Sequence, residues 1–164
     1  MIVDFNKLSD IRKKHPNKRI VFGSGCFDLL HPGHVLYLED CKKHGDITVI
    51  EVACDANVRG YKREPVFNEH MRLKIVDSLK CVDYCFLDPP ASGGDLLAVF
   101  DDIFRELKPE KYACNEDAFD IPRRGLYAQK HNVEFKVLKR WCPPEFENIS
   151  TTGIIKKIRE NNAR

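Results

Sequence analysis

Short runs of β-branched and aromatic residues alternate along the chain with segments whose apolar positions recur every three or four residues. Residues 19–23 (Arg-Ile-Val-Phe-Gly) form an apolar run ending in Gly-Ser-Gly, the pattern of a buried strand. Val35, Leu36, Leu38 and Cys41 follow at helical spacing, and basic residues with Gly45 mark that helix's C-terminus. Residues 47–54 predict a second strand, and Met71, Ile75, Val76 and Leu79 mark one face of a second helix. A third strand is expected at 83–87, and Leu96, Phe100, Ile103 and Leu107 predict a third helix. Residues 112–114 read as a short fourth strand, 122–131 as a helix after Pro122, and 134–138 as a fifth strand. A closing helix at 152–160 carries Ile154, Ile155 and Ile158 on one side. Strands alternating with helices in this way predict βαβ crossovers and an α/β fold, with a mostly parallel sheet covered on both faces. Ligands in such folds bind beyond the carboxyl ends of the strands. That directs attention to the loops after residues 23, 54, 88, 115 and 139.

Nothing in the pattern suggests a linker or repeat, so 1–164 is read as one domain. Twenty-seven Lys and Arg against twenty-five Asp and Glu give a net charge of +2, without the surplus of a nucleic-acid binder. The basic run at 12–19 is broken by Pro16 and lacks stacking aromatics, so it reads as a solvated helix end and loop. No apolar run approaches the ~18 residues of a membrane span, and residues 1–5 lack a signal-peptide pattern. A cytoplasmic protein without membrane partners is expected. The seven cysteines stand singly, without Cys-x-x-Cys pairs, and are expected as structural thiols in a reducing compartment.

The chemistry gathers after the first strand, in residues 23–34: Gly-Ser-Gly-Cys-Phe-Asp-Leu-Leu-His-Pro-Gly-His. A dinucleotide fingerprint Gly-x-Gly-x-x-Gly fails here, because Asp28 stands at the third glycine and would face a pyrophosphate. Backbone N–H groups around Gly25 can instead hold phosphate oxygens, and Gly33 permits close approach of a ligand. His31 and His34, at the start of a helix, can donate hydrogen bonds to charge developing on a transferring phosphate. The plainer reading, a turn residue and a surface residue, does not account for the whole motif in this strand–loop–helix position.

This stretch resembles the motif Gly-x-Phe-Asp-x-x-His-x-Gly-His of the cytidylyltransferase-like nucleotidyltransferases. The resemblance extends over about residues 19–160. It includes Tyr37 to Asp46, Asp55 after the second strand, the Lys62-Arg63-Glu64-Pro65 loop, Arg72, and Ile149-Ser150-Thr151-Thr152 before the last helix. It implies a Rossmann-like, doubly wound five-stranded sheet and transfer of a nucleoside monophosphate from ATP or CTP to a phosphorylated sugar or polyol, with release of pyrophosphate. It further implies His31, His34 and Lys62 as catalytic. Gly25, Cys26, Phe27, Asp28, Gly33, Asp55, Arg72, Asp117, Ser150, Thr151 and Thr152 would bind nucleotide. Mg²⁺ is the implied cofactor, with Asp28 open to metal, ribose or histidine, and a homodimer is implied. The heptose 1-phosphate adenylyltransferases and the glycerol-3-phosphate cytidylyltransferases are the similar members, which leaves ATP and CTP both open.

Physical chemistry supports several of these roles independently. Ser150, Thr151 and Thr152 are good capping residues, and a helix N-terminus is an anion site. Lys62, beside Gly60 and Tyr61 in an expected mobile loop, can follow the terminal phosphates. Arg123 and Arg124, after Pro122 on the ligand side of the sheet, are candidates for the acceptor's phosphate, since a guanidinium grips it by two hydrogen bonds; the resemblance adds Arg140 to the acceptor side. The chain departs from its relatives at Asn115-Glu116-Asp117, in the segment 140–148, and at Cys26, where many carry Thr. Cys26 is read as a spare thiol, with a lowered pKa the alternative. The rival reading is a non-catalytic nucleotide-binding regulatory module of the same fold. It leaves the joint presence of His31, His34, Lys62 and 150–152 unexplained.

Overall fold

The computed structural model describes residues 1–146 and 150–162. In chain order the elements are α1 (Leu8–Lys14), β1 (Ile20–Gly25), α2 (Pro32–Lys42), β2 (Ile47–Val52), α3 (Asp55–Tyr61) and α4 (Glu69–Asp77). Then follow β3 (Tyr84–Leu87), α5 (Val99–Leu107), β4 (Lys111–Asn115), α6 (Ile121–Lys130), β5 (Glu134–Leu138) and α7 (Thr151–Asn162). The strands pair in parallel in the order β3-β2-β1-β4-β5, the Rossmann-like doubly wound sheet.

The central strand β1 is buried on both faces, which is why its sequence is a continuous apolar run. Ile20 and Phe22 pack on one side with Phe86, Phe104 and Tyr112, under α1, α5 and α6. Val21 packs on the other with Leu38, Ile50 and Val76, under α2 and α4. Each fully buried large apolar side chain contributes roughly 1.5–3 kcal/mol. After β3 the chain crosses over β1 to start β4, so the loops leaving β1 and β4 diverge and open a crevice between them. Among the described residues no helix is long and apolar enough to cross a membrane.

Several local expectations are corrected. Tyr61 and Gly60 belong to the helix α3, not to a loop, and α1 also lies outside the elements that the apolar spacing predicts. Arg12 is not solvated; it donates to the carbonyl oxygens of Lys18, Leu107 and Lys108 and pairs with Glu110 at 2.8 Å. On α4 the buried stripe is Arg72, Leu73 and Val76, and Met71 is 47% exposed. The helix turns inward around Arg72 because that guanidinium finds four oxygen acceptors there. Ile158 on α7 likewise faces outward, at 53% exposure. Gly45 is not a helix cap: α2 ends at Lys42, and a Cβ at 45 would stand 2.9 Å from the Arg19 carbonyl oxygen where the chain turns into β2.

Candidate active site

A cavity of 440 Å³ lies at the carboxyl ends of β1 and β4. Its wall begins where β1 runs out at Gly25 and the backbone is forced into an unusual path. Phe27 and Leu29 both take left-handed conformations (φ 54° and 45°), which bulky residues rarely adopt and which need outside support. That support is visible. The Phe27 ring is buried edge-on against His34, with centroids 5.6 Å apart, and stacks on Tyr37. The Asp28 carboxylate accepts the N–H groups of Val66 and Phe67, each at 3.0 Å, and pairs with Arg63 at 2.7 Å. Thr151 donates its hydroxyl to the Asp28 carbonyl oxygen at 2.9 Å, fastening α7 to the same loop.

His31 is the residue capping α2, Pro32 sets the first helical φ, and His34 falls one turn on. The two imidazoles stack with centroids 3.9 Å apart and planes inclined by 24°. Gly33 suits this spacing, because a Cβ there would stand 3.1 Å from the His31 ring and push it aside by a few tenths of an ångström. Both Nδ1 atoms are buried without a hydrogen-bond partner among the described residues. Burial, then the neighbouring imidazole and the charges of Lys62 and Arg140, depress the His34 pKa to about 3. Burial, followed by Arg140 and Lys62, lowers that of His31. Both rings are therefore neutral near pH 7, each carrying one N–H donor and one acceptor nitrogen.

Cations surround the pair. Lys62, exposed just past the end of α3, and Arg140 both line the cavity; Arg140 also pairs with Asp117 at 3.7 Å. At the start of α7 the Ser150 hydroxyl accepts the Gly153 N–H at 3.1 Å and serves as a cap. Thr152 is exposed beside it, on the cavity wall. Ile149, the first residue of the Ile-Ser-Thr-Thr match, lies outside the described residues. The structure thus gathers Gly25, Cys26, Phe27, Asp28, His31, Gly33, His34, Lys62, Asp117, Arg124, Arg140, Ser150, Thr151 and Thr152 around one space.

Other candidates are not brought there. Asp55 and Arg72 are absent from the cavity wall. They pair with each other at 2.7 Å, and Arg72 is completely buried. Arg123 points elsewhere too: it pairs with Asp95 at 2.5 Å on the surface of α6. Its neighbour Arg124 is the one that turns inward, donating to Ser24 Oγ at 2.9 Å, to the Tyr112 hydroxyl, and through Nε to the Phe119 carbonyl oxygen at 2.5 Å. Asp28 does not fit as a metal ligand, since Arg63 and two backbone N–H groups already occupy its carboxylate. Burial alone would raise the Asp28 pKa, but those hydrogen bonds with Phe67, Val66 and Arg63 hold it below the usual value. Among the described residues no group of three or more His, Cys, Asp or Glu is placed to hold a metal ion. All seven cysteines are free thiols, and burial raises the Cys26 pKa against the pull of Arg72 and Lys62, which removes the reactive-thiolate alternative.

Sequence reasoning assigns no site role to Ser24, Arg63, Tyr61 or Phe119, all on the cavity wall. The last two stack across it with centroids 5.3 Å apart. It also passes over Glu51, buried on β2, whose carboxyl is pushed well above its usual range by burial and by Asp88. Asp88 itself accepts the Cys54 N–H at 2.5 Å and the Asn57 amide at 2.6 Å, tying the start of α3 to the end of β3.

The model of a family described as Cytidylyltransferase-like matches residues 22–157. An FAD synthase of Archaeoglobus profundus is 37% identical over 139 residues, 84% of each chain. The Bifunctional protein HldE of Aliarcobacter butzleri is 31% identical over 98% of this chain, which corresponds to 31% of that protein. Among solved structures, the lipopolysaccharide core biosynthesis protein of Thermoplasma volcanium superposes with a TM-score of 0.62 at 31% identity, over 76% of this chain and 98% of that one.

Proposed function

Since the chain belongs to the cytidylyltransferase-like family and is a nucleotidyltransferase, we propose that it adenylylates flavin mononucleotide: ATP plus FMN gives FAD plus pyrophosphate. Motif resemblance alone leans toward a sugar or polyol phosphate. The names of the relatives, FAD synthase in Archaeoglobus profundus and in Methanolacinia petrolearia (35% identical over 87% of this chain), support FMN as acceptor and ATP as nucleotide.

The observation that carries the chemistry is the stacked, neutral His31–His34 pair set among Lys62, Arg140 and the start of α7. An oxygen of the FMN phosphate attacks the α-phosphorus of ATP, and the bond from that phosphorus to the bridging oxygen of pyrophosphate breaks. Such a transfer needs alignment and neutralisation of charge more than covalent help. The imidazoles donate N–H hydrogen bonds to the α-phosphate oxygens as charge shifts there, and being neutral they do so without a proton in flight. Lys62 and Arg140 balance the leaving pyrophosphate, and Thr152 with the first N–H groups of α7 extends that anion site. Arg124, anchored by Ser24 and Tyr112, meets the acceptor. Mg²⁺ enters as part of the substrate, with the triphosphate.

The test is product analysis. Purified protein is offered ATP or CTP with FMN, glycerol 3-phosphate or a sugar 1-phosphate, and products are separated by chromatography. FAD from ATP and FMN alone is the expected result. Turnover of the sugar phosphate and not FMN would replace this reading with a sugar-phosphate adenylyltransferase, the second choice, toward which the motif resemblance leans.

A further inference from the structure

Two groups of residues on the cavity wall differ in character. His31, Gly33 and His34 stand at the start of α2, with Arg140 near Gly33, the group to which the triphosphate is assigned above. Ser24, Tyr61, Phe119 and Arg124 form the other, on the side packed by α6, where Ser24 and Arg124 are joined to the core residue Tyr112. Tyr61 ends α3 and Phe119 lies between β4 and α6, so the two rings approach from opposite walls. They stack at 5.3 Å with planes inclined by 28°, and Phe119 remains 43% exposed. Val58 and Ala118 line the same cavity.

We propose that Tyr61 and Phe119 are the platform on which the planar ring system of the acceptor stacks. This rests on FMN being the acceptor, and it names where its isoalloxazine is held. Exposed aromatic faces favour a large flat π-system in offset contact and gain little from a polyol chain, whose hydroxyls need polar partners. Both rings have rigid bases suited to this. Asp88 pins the start of α3 through Cys54 and Asn57, and the Phe119 carbonyl oxygen accepts from Arg124 Nε. One arginine thus joins the platform to the floor of the cavity. Its Nη2 makes no bond among the described residues and is available to the acceptor's polar end.

The experiment measures FMN and ATP separately, by calorimetry and by the fluorescence of bound FMN, in the parent, Tyr61→Leu, Phe119→Leu and Tyr61→Phe. In the parent, stacking on a tyrosine quenches flavin fluorescence. Each leucine variant should weaken FMN about tenfold or more, the range for loss of one aromatic stacking partner, and leave ATP within twofold. Tyr61→Phe keeps a ring and should restore FMN affinity to within about twofold of the parent. Phe119→Leu, on an exposed loop residue, serves if Tyr61→Leu does not fold. Should the parent make FAD while the leucine variants bind FMN normally, or lose ATP as much as FMN, the platform is wrong and the FMN reading stands. A parent that neither binds FMN nor makes FAD overturns both.

Discussion

Arg72 Nη2 lies 2.7 Å from Asp55 Oδ1, and the guanidinium making this pair has no solvent exposure. Its remaining donors reach the carbonyl oxygens of Cys26 (2.5 Å), Ala53 (2.7 Å) and Phe67 (3.0 Å). One side chain therefore fastens the loops leaving β1 and β2 to the start of α4. A planar fork can serve four acceptors in this way, and an ammonium cannot.

Removing that fork should be expensive. Arg72→Ala strands the half-buried Asp55 carboxylate and three carbonyl oxygens, and should lose about 3 kcal/mol in urea unfolding. Arg72→Lys should recover less than half of it. A fully stable Arg72→Ala protein would show that water satisfies these groups.

His34→Ala should lower kcat by about two to three orders of magnitude, as when a preorganised donor to developing charge is lost. ATP affinity should change far less, because the donor acts mainly in the transition state. Unaltered kcat would take His34 out of the mechanism.

The depressed His34 pKa makes a pH prediction with a definite sign. The unfolded chain takes up this proton near pH 6.5, whereas the folded one holds the ring neutral down to about 3. Stability from this group is therefore complete above pH 6.5 and declines on acidification towards 3, by ~1.4 kcal/mol per pH unit. His31 and His44 shift in the same direction, whereas the raised carboxyls of Glu51 and Asp88 act with the opposite sign. The difference between parent and His34→Gln isolates the one ring. The same neutrality means that kcat should show no inflection from His34 between pH 6 and 8.

Arg123 and Arg124 separate kinetically. Arg124→Met should raise the FMN KM by tenfold or so and leave ATP nearly unchanged, as expected for lost acceptor binding. Arg123→Ala removes partly exposed ion pairs with Asp95 and Asp120, so both KM values should hold and stability should fall by about 1 kcal/mol.

A chelator distinguishes metal carried by substrate from metal held by the fold. EDTA should stop turnover and leave the melting temperature of the nucleotide-free protein where it was. A melting point lowered by EDTA would reveal a resident ion.

The strand–helix alternation was legible because a parallel sheet buried on both faces needs continuous apolar runs, as in residues 20–22. The His31–His34 pair was legible for a similar reason. Its chemistry is local, with both imidazoles on one helical turn and Gly33 between them. What lay beyond the sequence depends on partners far along the chain. Arg123 and Arg124 differ by one residue, about 100° around a helix, and only the packing of α6 on the sheet decides which one faces the cavity. Arg72 looks like a surface arginine until Cys26, Ala53, Asp55 and Phe67 converge on it. α3 is too short for periodicity to reveal, and Tyr61 meets Phe119 only because β2 and β4 flank β1 and deliver their loops to the same crevice. The sequence by itself determined the layers and the phosphate chemistry, since both are written in neighbouring residues. The tertiary structure alone decided which cations and rings face the acceptor, because that is set by contacts between segments that only the folded sheet brings together.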